Sequence, residues 1–113
     1  MFRYYRELGR VNEDFRRNKL RYFKKIIEIA EEYNGKAYLF GSQLRGSATA
    51  ASDVDILVEV PCGVNWLEVL ARLRREVGNP KFEFHVRCGE EAKLMKRMIK
   101  EYEDLESMIR KIK

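Results

Sequence analysis

The chain has 113 residues, 45% of them hydrophobic and 36% charged, with a formal net charge of +5 at pH 7. That length holds one domain with a modest core and leaves little room for a second substrate-binding module. The composition excludes a disordered chain, and no apolar run approaches the length of a membrane span, so no membrane partner is expected.

The N-terminal stretch Met1-Phe2-Arg3-Tyr4-Tyr5-Arg6 lacks the apolar core and small-residue cleavage site of a secretion signal, so a cytoplasmic location is the default expectation. Positive charge is concentrated early. Arg3, Arg6, Arg10, Arg16, Arg17, Lys19, Arg21, Lys24 and Lys25 face only Glu7, Glu13 and Asp14 in the same stretch. Such a face meets nucleic acid or an acidic partner, or is simply a solvated helix surface.

Helical periodicity runs from about residue 12 to 33, where Phe15, Tyr22, Phe23, Ile26, Ile27, Ala30 and Tyr33 recur at three- and four-residue steps. Asn34-Gly35 stops that helix. A short apolar strand is expected over 36–41, then a turn and a short helix starting near Ser42. A second strand spans 53–60 and ends at Pro61 and Gly63. Asn65 caps the next helix, with Glu68 three residues later, and Gly78-Asn79-Pro80 ends it. A third strand follows over 81–87, with Phe82, Phe84 and Val86 facing inward. A last helix is expected from about Glu90 to Lys111, with a stripe from Leu94 to Ile112. The order is α-β-α-β-α-β-α, an α/β (α+β) arrangement in a single domain over 1–113, with its central core at about 36–88. The helix between the second and third strands favours a parallel, right-handed crossover. The direction of the first strand stays open.

Cys62 and Cys88 are the two cysteines, with no CxxC pair and His85 as the one histidine, which argues against a structural zinc site. Two reduced thiols are the default reading. Each cysteine, however, follows the end of one of two strands expected to be parallel, so a pairing between them stays open.

Residues 41–55 carry the chemistry. They read G-S-x-x-R-G-x5-S-D-x-D, with Gly41, Ser42, Arg45, Gly46, Ser52, Asp53 and Asp55 at the fixed positions. At a usage of roughly one in fifteen per position, a chance match at a given start is on the order of 10⁻⁸. Asp53 and Asp55 lie two apart on the expected strand, so both carboxylates point to one face. They repel unless a cation neutralises them. Mg²⁺, a hard ion that takes carboxylate and phosphate oxygens, suits them. Gly41 lets its backbone approach a phosphate, and Ser42 stands near a helix N-terminus that favours anions. Arg45 either contacts phosphate or braces the loop, and Ser52 caps or orients the turn before Asp53.

This stretch resembles the signature of the minimal nucleotidyltransferases of the DNA polymerase β-like superfamily. Asn79 to Val86 looks like the later strand that supplies that family's third carboxylate, here Glu83, so the resemblance covers about residues 20 to 100. It implies a small mixed three-stranded sheet flanked by helices. It further implies that Gly41 and Ser42 hold the phosphates of a nucleoside triphosphate, with ATP as donor. Asp53, Asp55 and Glu83 would hold Mg²⁺, two ions in the usual scheme. Many relatives carry Asp at the third position, and Glu is one methylene longer. His85 shares the face of Glu83 and reads first as a polar strand residue.

The implied reaction transfers a nucleoside monophosphate, AMP from ATP, to a hydroxyl and releases pyrophosphate. Small relatives work beside a helical HEPN partner in toxin–antitoxin pairs, where the transferase is the antitoxin. This chain resembles that half, which implies a protein or another hydroxyl-bearing acceptor; the sequence leaves open which. Two alternatives stand beside it: a transferase scaffold that inhibits a partner by contact alone, and a basic RNA-binding module. Whether the chain forms a homo-oligomer stays open.

Overall fold

A computed structural model describes residues 2–112, with side chains from residue 6 onward. The side chains of Arg3, of the basic face, and of the rest of the N-terminal stretch before Arg6 lie outside that description. The elements are α1 (Phe2–Glu32), β1 (Lys36–Phe40), α2 (Ser42–Arg45), β2 (Val54–Glu59), α3 (Trp66–Val77), β3 (Phe82–Arg87), α4 (Gly89–Ile99), β4 (Tyr102–Asp104) and α5 (Leu105–Ile112). They build one mixed sheet in the order β3-β2-β1-β4. β2 and β3 run parallel, joined through α3, and β1 is antiparallel to β2 and to β4. Among the described residues no helix is long and apolar enough to cross a membrane.

Two elements differ from the sequence expectation. The first helix begins ten residues earlier than residue 12, because Leu8 and Val11, both half-buried, continue the apolar stripe of Phe15 one and two turns upstream. It bends at Asn18, which leaves helical dihedrals (φ −113°, ψ 17°). The Asn18 side-chain amide donates to the Asp14 carbonyl at 3.2 Å, competing for the acceptor of the local helical bond.

The expected helix over 90–111 is in fact α4, β4 and α5, which gives the sheet four strands rather than three. The break sits at Lys100, which takes a positive φ of 63°. Tyr102 to Asp104 then pair with Phe40 to Tyr38 of β1. That pairing closes an edge that β1 would otherwise leave bare, and outweighs the helical pattern of the segment.

The sheet has one thickly covered face. Ala37 and Leu39 of β1, Val54, Ile56 and Val58 of β2, and Phe82, Phe84 and Val86 of β3 join Phe23, Ile26 and Ile29 of α1, Val69 and Leu73 of α3, and Leu105 in one buried cluster. The strand alternation read from sequence accounts for this set. The opposite face carries Tyr38, Phe40, Asp55, Leu57, Glu83 and His85. Its covering is slighter: Lys96 of α4 donates to Glu59 at 2.6 Å and lies 4.4 Å over the Tyr38 ring. Cys62 and Cys88 are joined in a disulfide, with Cα atoms 5.0 Å apart. The default expectation of two free thiols therefore gives way to the pairing that parallel β2 and β3 permit.

Candidate active site

Backbone geometry sets one wall of the site. β1 ends at Phe40, and Gly41 caps α2 with φ 79°, its carbonyl accepting from the N–H groups of Leu44 and Arg45. A Cβ at Gly41 would collide with the Asp55 carboxylate, so residue 41 is glycine for two reasons, dihedral and space. Gly46 closes the turn at φ 76°, donating to the Ser42 carbonyl. Ser42 is half-buried at the start of α2. Arg45 is exposed and makes no ion pair among the described residues.

The carboxylates form the other wall. Asp55 stands opposite Phe40 on one side and Glu83 on the other, and Leu57 stands opposite His85. Parallel pairing therefore brings Asp55, Glu83 and His85 onto one face within two steps of strand. One ligand atom from each lies within 4.8 Å of the other two. His85 Nε2 is 3.7 Å from Glu83 Oε1, and its ring packs 5.5 Å from that of Phe40. Burial raises the Asp55 carboxyl above its ordinary value, the Glu83 and Asp53 charges push it further, and His85 works against them. A divalent cation would relieve this repulsion, and two carboxylates with an imidazole are a fitting donor set.

Asp53 is exposed and one residue ahead of β2, outside that three-residue group. Its charge still reaches both Asp55 and Lys81. The loop that carries it is held from within. Ser52 Oγ accepts from the Thr49 N–H at 2.9 Å, and the Ser52 N–H returns to the Thr49 carbonyl at 3.0 Å. Ser52 is thus a turn-former.

Lys81, which sequence reasoning passed over, is only 5% exposed. Its ammonium donates to the carbonyls of Ser52 at 2.7 Å and Ala50 at 3.1 Å. Burial pulls it below the usual lysine range, against the pull of Asp53. Asn79 accepts from the Lys81 N–H at 2.8 Å and donates to Asp14 of α1, also at 2.8 Å. Tyr22 also donates to Asp14. The Tyr22 bond lowers the Asp14 carboxyl, burial opposes it, and the Asn79 and Asn18 bonds add to the lowering. A continuous polar chain thus runs from the bend of α1 to the loop before Asp53. No sequence signal marks Lys81, since a lysine before a strand is ordinarily solvated.

A cavity of about 210 Å³ lies between α1 and this loop, lined by Leu8, Val11, Ala51, Asp53 and Pro80 among others. A larger one, about 490 Å³, sits at the far end of β2 and β3 beside Cys62 and Cys88. The chemistry, not the volume, identifies the site, because the carboxylates lie at the other end of the strands.

Known proteins bear on this geometry in two ways. The profile of a family described as "Nucleotidyltransferase domain" matches residues 20–112. A solved structure of a candidate nucleotidyltransferase from Sulfolobus solfataricus is similar in fold, with a TM-score of 0.54, 20% identity, and coverage of 87% of this chain and 85% of that one. No curated protein matches the chain.

Proposed function

Since the chain belongs to the nucleotidyltransferase domain family, we propose that it is a working, metal-dependent enzyme that transfers AMP from ATP to a hydroxyl of a protein acceptor. The observation that carries this reading is the register of Asp55 against Glu83, with Gly41 packed on the Asp55 carboxylate. A triphosphate held at Gly41 and Ser42 lies against those carboxylates. Asp53, Asp55 and Glu83 would hold the divalent ions, Mg²⁺ in the first instance. A bound ion offsets the carboxylate repulsion and the triphosphate charge.

The acceptor oxygen forms a bond to the α-phosphorus as the bond to the pyrophosphate oxygen breaks, and pyrophosphate leaves. The acceptor proton passes to Glu83, whose side chain is 53% exposed and so open to an incoming substrate. Lys81 keeps the Asp53 loop in place during this exchange.

The acceptor is a helical partner of HEPN type, with this chain as the antitoxin. What supports a protein partner is the outer face of α4, where Leu94 and Met98 are 50% and 71% exposed. The RNA-binding reading is less well supported, because part of the basic face is neutralised within the chain. Arg16 and Arg17 pair with Glu13, and Lys25 pairs with Glu28 and Glu76.

Calorimetric titration of ATP into the chain with Mg²⁺, and again with Mn²⁺, tests the donor site. Metal-dependent binding that disappears in D53A/D55A is the expected result. No ATP binding by the folded wild type with either ion would turn the reading to a scaffold that inhibits by contact.

A further inference from the structure

The tight ligand group at the site is not the one the motif implies. Asp55 and Glu83 belong to it, but its third member is His85, while Asp53 stands outside. Donor atoms that share one ion at 2.0–2.2 Å lie at most about 4.4 Å apart. The three donors already lie within 4.8 Å of one another, close to that limit, and Glu83 Oε1 stands 3.7 Å from His85 Nε2. His85 is the better fixed of that pair. Its side chain is 23% exposed, its ring rests on Phe40, and its register opposite Leu57 holds it on the Asp55 face.

An imidazole nitrogen is a softer donor than a carboxylate oxygen. Mg²⁺ prefers all-oxygen surroundings and keeps its waters, whereas Mn²⁺ accepts a mixed set more readily and lies higher in affinity for nitrogen ligands. We infer that His85 is a direct ligand of the ion held by Asp55 and Glu83, and that the site therefore selects Mn²⁺ over Mg²⁺. The inference rests on the transferase reading for the use made of the ion, but not for its binding.

The competing arrangement is a plain pair between His85 and Glu83, 3.7 Å apart, from which an arriving ion would displace the ring. Pulsed electron paramagnetic resonance separates the two. Mn²⁺ is added to the full, untagged chain without nucleotide, and the electron spin echo is examined for nitrogen hyperfine modulation. His85 is the one histidine, so a coordinated imidazole has a single source.

Nitrogen modulation is expected in the wild type and absent in H85Q. Mn²⁺ affinity should fall about tenfold or more in H85Q, while Mg²⁺ affinity, read by competition, changes far less. A wild-type chain that binds Mn²⁺ without nitrogen modulation, or that binds no Mn²⁺ at all, overturns the inference. So does an H85Q variant that keeps the wild-type preference. Transfer of labelled AMP is assayed separately. Nitrogen coordination without transfer would retain the metal site and sink the enzymatic reading, and transfer by a chain lacking the nitrogen signal would do the reverse.

Discussion

The backbone of Gly41 lies against the carboxylate of Asp55, so closely that a methyl group on residue 41 would overlap Asp55 Oδ2. The contact exists because Phe40 and Asp55 are partners across the antiparallel pair and Gly41 turns off the strand at φ 79°. It couples the proposed phosphate turn to the proposed metal ligand by close packing that leaves no room for a side chain at residue 41. G41A should therefore damage both. A non-glycine residue at that dihedral costs on the order of 1–3 kcal/mol before the overlap is counted. Loss of ATP binding together with a lowered melting temperature is expected. A variant that melts lower yet binds ATP normally would show that the contact matters to folding alone.

Asp55 gives a pH signature. Burial, followed by the Glu83 charge, raises its carboxyl above the ordinary value of 3.8. In that window the folded chain binds more protons than the unfolded one. The metal-free protein thus loses stability from this group as pH rises from about 3.8 through the raised folded value. D55N removes the titrating group. The difference in unfolding free energy between D55N and wild type should grow in favour of D55N across that window, then level off. Denaturant unfolding at several pH values in a chelator reads it directly, and a flat difference would contradict it.

Lys81 holds the Ala50 and Ser52 carbonyls, so K81M leaves two acceptors without their donor. A loss of about 1–3 kcal/mol in stability is expected. Affinity for the metal–ATP complex, in which Asp53 is a proposed ligand, should fall by about 10–100-fold, the usual cost of losing a group that orients metal ligands. K81R should recover part of that affinity. A K81M chain that binds metal–ATP as the wild type does would reduce Lys81 to a purely structural role.

Asn79 is the joint between α1 and the Lys81 segment, bonded to Asp14 on one side and to the Lys81 N–H on the other. N79A should cost about 1–3 kcal/mol by stranding buried polar groups. Hydrogen exchange in residues 50–53 should quicken more than in β2. Equal change in both would mean that the fold loosens as a whole rather than through this joint.

The disulfide closes a loop with a sequence separation of 26 residues at the end of the sheet away from the carboxylates. Chain-entropy arithmetic for such a loop gives about 3–4 kcal/mol. C62S/C88S should lose roughly that much stability while retaining metal binding. Thiol titration of the denatured, unreduced chain should find neither cysteine reactive, and two reactive thiols would remove the bond from the account.

The seven-position motif, the apolar face of β3 and the Asn65 cap were legible because each depends on neighbours in sequence. Alternation sends Phe82, Phe84 and Val86 inward and leaves Glu83 and His85 on the other face, whatever the strand pairs with. Asn65 accepts from the N–H groups of Leu67 and Glu68 in the manner its position implies. The stop at Lys100 was not legible, because Leu94 to Ile112 keeps a helical stripe across the break. What overrides it is β1, some sixty residues earlier, offering an open edge.

Tertiary structure alone decided which residues meet. Glu83 stands beside Asp55, His85 comes within 4.8 Å of both, Lys81 is buried under the loop, and Cys62 reaches Cys88. Side-chain periodicity is a property of a few consecutive residues and can be read from them. Strand register, the burial of a lone cation and the convergence of donors are settled by contacts distant in sequence, which form only when the sheet closes.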